Sequence, residues 1–188
     1  GDYVAEIKGG AKYESLQAAI DAAVTGDEVV VLKDLEYGFE DVVLTSDNRS
    51  VLVYVTGKEI TLNMNEKNIS VVHQSILDAE RIFAVICVEE NASLTVTGNG
   101  AIDVDTDVAY TEMPKVAYMF WKRGTTGYLT IKDGNYHMDN SEDSMVYSNG
   151  DETITVEGGT FILDAVGART NGFPYIFNAA GNNQRSVK

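Results

Sequence analysis

Asp103, Asp105 and Asp107 stand at alternating positions of a segment with strand character. On one strand their carboxylates share a face, about 7 Å apart along the chain. Three carboxylates so placed attract a hard cation, and Ca²⁺ is the ion this set would take; no other cofactor is expected. An EF-hand loop is excluded, because Val108 stands where that loop needs Gly and Pro114 where it needs a bidentate Glu. The plain alternative is an exposed acidic corner that holds no ion. Asp139, Glu142 and Asp143 form a second acidic group. Paired carboxylates can cleave glycosides, but only at separations of about 5 Å or roughly 6.5–9.5 Å around a sugar. Here they read as a solvated loop.

A second chemistry lies in the aromatic residues. Four similar strands align so that one position reads Cys87, Phe120, Tyr147, Phe177 and another reads Val85, Tyr118, Met145, Tyr175. The opposite parity reads Ile86, Met119, Val146, Ile176. Strand alternation sends the two parities to opposite faces. The aliphatic row suits a core, which leaves Tyr118, Phe120, Tyr147 and Tyr175 facing outward, either under a loop or open to a ligand. Trp121, beside Lys122 and Arg123, joins this set if the strand ends before it; otherwise it shares the aliphatic parity. Aromatic rings suit sugars, since an apolar sugar face stacks on them while polar groups bond around the rim. Cys87, the one cysteine, reads as a buried small hydrophobe. His73 and His137 read as surface residues.

Short strands must position these residues. Leu94–Thr97, Leu129–Lys132 and Ile154–Glu157 are alternating strands. Each is followed by a Gly-centred corner and a second strand that ends in Asp. An earlier, degenerate copy starts at Ile60, so Thr61, Thr95, Thr130 and Thr155 recur at intervals of about 25 to 35 residues. Such a period marks stacked units that cannot bury their apolar faces alone. The alignment predicts Thr95, Thr130 and Thr155 directly above one another, and Gly98, Gly134 and Gly159 stacked at one corner. A further strand precedes each copy, giving three strands per turn. Near the start, Ser15 can cap a helix whose Leu16, Ala19, Ile20 and Ala23 form one apolar stripe, with Gly26 as its stop. The expected fold is therefore all-β: a parallel β-helix with a short N-terminal capping α-helix over its open edge. One domain spans residues 1–188, with the cap at about 1–28 and the coil at about 29–188. The coil breaks off in an incomplete copy at Arg185–Lys188. A chain that begins with Gly1 instead of Met reads as mature or trimmed.

Among the 188 residues, 29 Asp and Glu face 14 Lys and Arg, for a net charge of −15. That surface repels nucleic acid and anionic membranes. The longest apolar run, Ile82–Val88, is too short to span a bilayer, so no membrane insertion is expected.

The segment Tyr13–Ala23, followed by Gly26-Asp27-Glu28 and Val29–Asp34, resembles the opening of many bacterial secreted and cell-surface proteins. These belong to the pectin-lyase-like right-handed parallel β-helix superfamily. Glu59–Asn63 and the Gly158–Phe161 corner are similar as well. The resemblance implies a right-handed coil and a secreted or cell-surface location. Lyases of this superfamily pair a cation with a Lys or Arg base, a role that Lys115, Lys122 or Arg123 would fill. The motifs of its enzymes are otherwise absent: no Gly-His-Gly, no paired Asp-Asp, and no Arg two residues before Pro114 or Pro174. The expected function is a non-catalytic, adhesin-like β-helix whose face binds a glycan or a host or cell-surface protein. The alternatives are a polysaccharide lyase or glycoside hydrolase acting on acidic glycans, and a structural stalk or phage tail fibre segment.

Overall fold

The computed structural model describes residues 1–71, 81–104, 115–140, 144–150, 153–165 and 175–179. In chain order these form β1 (Ala5–Ile7), β2 (Lys12–Tyr13), α1 (Leu16–Ala22), β3 (Glu28–Val31), β4 (Leu35–Tyr37), β5 (Val43–Leu44), β6 (Ser50–Val55), β7 (Glu59–Asn63), β8 (Asn68–Val71) and β9 (Arg81–Val88). There follow β10 (Ser93–Thr97), β11 (Ala101–Val104), β12 (Lys115–Lys122), β13 (Leu129–Ile131), β14 (Asn135–Asn140), β15 (Val146–Ser148), β16 (Ile154–Val156), β17 (Thr160–Ala165) and β18 (Phe177–Ala179).

The strands sort into three sheets that the chain visits in rotation. The first sheet runs β16-β13-β10-β7-β3-β1-β2, the second β17-β14-β11-β8-β4, and the third β18-β15-β12-β9-β6-β5. The chain is thus a β-solenoid, parallel between successive turns. Its antiparallel pairs are β1 with β2 and β3, and β5 with β6. β2 and β4, of two and three residues, are too short to display a period in sequence. β5 turns back antiparallel on β6 instead of stacking on a neighbouring turn.

In the first sheet the threonines stack as their spacing predicts. Thr61 pairs with Thr95, Thr95 with Thr130 and Thr130 with Thr155. Their neighbours alternate inward, so Ile60, Leu94, Leu129 and Ile154 form one buried column. In the second sheet Ile69, Ile102 and Tyr136 form another, continued by the partly buried Phe161. The glycine corner needs a correction. Ala101 pairs with Asn135 and Asn135 with Thr160, so the column is Gly100, Gly134 and Gly159 instead of one starting at Gly98. The first copy has a longer corner, and Gly98 turns within it at φ 87°.

The third sheet breaks simple alternation. Leu52 and Val53 both lie in the core, as do Val85 and Ile86, Met119 and Phe120, and Met145 and Val146. In each pass two consecutive side chains point inward. Between β12 and β15 the backbone marks the extra residue, because the N–H groups of Met119 and Phe120 both donate to the Met145 carbonyl, at 2.9 and 3.0 Å. Outward positions therefore fall three residues apart: Val51 and Tyr54, Ala84 and Cys87, Tyr118 and Trp121.

Helix α1 buries Leu16, Ala19 and Ile20, and Ala23 beyond its end, in the main core. The Ser15 side chain accepts from the Ala18 N–H at 3.0 Å. The other end is satisfied from a distance: Lys58 Nζ donates to the carbonyls of Ile20, Asp21 and Ala23 at 2.7, 3.1 and 2.7 Å. A cation at that end also suits the helix dipole.

Candidate functional site

The outward positions of the third sheet carry a second hydrophobic cluster, separate from the core. Val51, Ala84, Cys87 and Trp121 form its buried part, with Val43, Tyr54, Phe83, Tyr118 and Tyr147 packed against it. Tyr118 and Tyr147 stack face to face, centroids 4.5 Å apart and planes 10° from parallel. Tyr118 also meets Trp121 at 5.6 Å, and Trp121 meets Phe83 at 6.2 Å. Register explains the row. Trp121 pairs with Cys87 below and Tyr147 above, so the indole lies over a small side chain.

The β5–β6 turn supplies one wall. Thr45 donates to Asp47 at 2.6 Å and receives the Arg49 backbone N–H at 2.9 Å. Arg123 donates to both Asp47 oxygens, at 2.8 and 2.7 Å, and to Glu89 at 3.3 Å. This pairing lowers the Asp47 pKa and raises that of Arg123. Two guanidiniums cover rings: Arg49 over Phe83 at 4.7 Å and Arg123 over Trp121 at 4.4 Å. Trp121 is only 8 % exposed, and its indole N–H has no hydrogen-bond partner among the described residues. An unmet buried donor costs about 1–3 kcal/mol, and this one sits in an aromatic cluster rimmed by charge.

Of the outward residues expected from sequence, Tyr118, Tyr147 and Trp121 come together here. Tyr175 is 56 % exposed, just before β18. Phe120 is a correction: it is fully buried in the core, edge-on to Tyr136 at 5.2 Å. Its partners are Ile86 and Val146, not Cys87 and Tyr147. The register of β12 thus differs by one residue from the row read in sequence, and one residue moves a side chain to the other face. Cys87 is buried as expected, and burial pushes its thiol pKa up.

A second group occupies the outer face of the second sheet. Asp103 pairs with His137, and Asp139 with Asp164, across three adjacent strands. His137 Nδ1 lies 2.7 Å from Asp103, while Nε2 lies 2.7 Å from Asp164 and 3.3 Å from Asp139. Burial works against the imidazolium. The Asp103 and Asp164 hydrogen bonds, with the charges of Asp103 and Asp139, outweigh it and raise the pKa to about 9. One ligand atom from each of His137, Asp139 and Asp164 lies within 4.8 Å of the others, compact enough for a single ion. His137 reads from sequence as an ordinary surface residue; Asp139 ends its strand as the repeat predicts, but it is held in β14 at only 9 % side-chain exposure, not in a solvated acidic loop. The one available signal was that the second strand of each copy ends in Asp. The expected Ca²⁺ set divides: Asp103 is turned to His137, and Asp105 and Asp107 lie outside the described residues.

The cations imagined as bases are engaged elsewhere. Lys122 is fully buried, and its Nζ donates to the carbonyls of Glu89, Arg123 and Thr126. Burial lowers its pKa to about 8, while Glu89 pulls the other way. It ties the corner between the third and first sheets. Arg123 is spent on Asp47 and Glu89. The side chain of Lys115 lies outside the described residues.

No family model, no curated protein and no solved structure matches this chain.

Proposed function

We propose that this chain is a non-catalytic, adhesin-like β-helix, secreted or held at a cell surface, whose third-sheet face binds a glycan or a surface protein. The observation that carries the reading is the aromatic row of Phe83, Trp121, Tyr118 and Tyr147 on the outside of the third sheet, of which Phe83, Tyr118 and Tyr147 are only partly buried. Stacked rings offer an apolar platform to a sugar face, and the charged rim offers hydrogen bonds to its hydroxyls. The coil is right-handed in this reading and of the pectin-lyase-like kind, and α1 caps its N-terminal edge. The cap is supported by Gln17, whose side-chain amide exchanges two 2.8 Å hydrogen bonds with the backbone of Tyr54 in β6, as a neighbouring strand would.

A glycan array, followed by calorimetry on the strongest binder, tests the reading. Changing Tyr118 and Tyr147 together to Ala should weaken binding by roughly 30-fold, at about 1 kcal/mol per stacking contact. Both rings are only partly buried, so the fold should survive. Binding untouched by the double substitution would remove the platform. Depolymerisation of an acidic polysaccharide, read by reducing ends and uronate absorbance, would put a lyase or glycosidase in its place. A chain that binds neither saccharide nor surface protein would be a stalk.

A further inference from the structure

His137 is held as metal-bound histidines are held. One ring nitrogen is fixed by a carboxylate, and the other faces two more. In metal sites the second nitrogen of a ligating histidine almost always donates to a carboxylate or carbonyl, which fixes the tautomer and aims the lone pair. Asp103 stands in that place at 2.7 Å from Nδ1. With that N–H committed, Nε2 faces Asp139 and Asp164, and a bound ion would take the place of the proton it shares with Asp164. We propose that His137, Asp139 and Asp164 form a site for a divalent transition ion of the Zn²⁺ kind, with Asp103 as the residue that positions the imidazole.

The dimensions suit this. Around a tetrahedral Zn²⁺ with bonds of about 2.0–2.1 Å, ligand atoms sit about 3.3 Å apart. The Nε2–Asp139 distance is 3.3 Å already, and the 2.7 Å to Asp164 need open by only about half an ångström. Backbone pairing holds the set: His137 and Asp139 share one face of β14, and Asp164 lies opposite Asp139 on β17. Ligands mounted on strands are more closely fixed than ligands on loops. Asp139, at 9 % side-chain exposure, is the least solvated of the three. The donor set selects the ion. Imidazole with carboxylates suits Zn²⁺ and its neighbours, whereas Ca²⁺ seeks six to eight oxygens. The site lies on a different sheet from the aromatic row, so it stands or falls apart from the saccharide reading.

The test uses the full chain with no histidine tag. Zn²⁺ is titrated by calorimetry, with Ca²⁺ and Mg²⁺ as comparators and Co²⁺ as the absorbance probe. One Zn²⁺ per chain should bind in the micromolar range or tighter. His137→Gln and Asp164→Asn should each weaken it at least tenfold, while His73→Gln, which alters the one other histidine, should leave it unchanged. Asp103→Asn should keep one ion per chain but weaken it by about 10- to 100-fold. A purely structural Asp103 would instead lower the melting temperature and leave affinity alone. Should His137→Gln fail to fold, the exposed Asp164 decides. Zn²⁺ binding that does not saturate at one ion, that survives Asp164→Asn, or that Ca²⁺ matches would overturn the site.

Discussion

Phe120 and Tyr118 stand two residues apart on one strand yet serve opposite sides of the wall. Phe120 is enclosed by the core, and Tyr118 stacks outside on Tyr147. Phe120→Ala should destabilise the chain by about 3–5 kcal/mol, as a large core side chain leaves a cavity. Tyr118→Ala should cost only about 1 kcal/mol, since a partly exposed stacking pair is worth that much. Urea unfolding of the two variants measures the contrast, and equal losses would put both rings on one side. Lys122 makes a different residue-scale claim. Its pKa of about 8 in the fold lies below the ordinary 10.5, so between these values the unfolded chain binds more protons than the folded one. Stability linked to this group therefore rises with pH across that window. The wild type should gain on Lys122→Met between pH 8 and pH 10 in urea titrations. A falling difference would mean that the three carbonyls hold the ammonium more firmly than burial opposes it.

Elements divide by how faithfully their period reached the sequence. The first-sheet strands alternate strictly, so Thr61, Thr95, Thr130 and Thr155 could be aligned by eye and do stack. Helix α1 carried its signals locally too: a Ser15 cap and a four-residue stripe. The third-sheet strands are different. Two inward residues in succession, such as Met119-Phe120, look in sequence like any apolar run, and the register shift they bring cannot be seen without the neighbouring strand. That one feature misplaced Phe120 and left the side of Trp121 undecided. The His137 group was hidden for another reason. Its members are scattered from residue 103 to residue 164, and nothing near His137 in the chain names its partners. Only the pairing of β11, β14 and β17 brings them together. The Lys58 bonds to the end of α1 are likewise invisible to a local reading.

At the scale of the molecule, a solenoid wall has two faces and three sheets, and each outer face here has its own chemistry. The first presents a threonine ladder, the second a histidine among carboxylates, the third an aromatic row. Because each turn touches chiefly its neighbours, stability should be distributed along the coil and not pooled. The Phe120 ring makes this testable. It contacts Tyr136, Tyr136 contacts Phe161, and Phe161 contacts Phe177, so the aromatic filling of the core lies toward the later turns. The earlier turns are filled by aliphatic residues such as Val29, Leu62 and Ile69, with Leu16 and Ile20 of α1 packed into the same core and β1 paired to β3. Phe120→Ala should therefore speed amide hydrogen exchange most in β12, β14 and β15, while β1, β3 and β7 keep most of their protection. Exchange that quickens equally from β1 to β15 would mean that the coil opens as one cooperative unit. In that case a ligand gripping the third-sheet row would stabilise the first turns as much as the last.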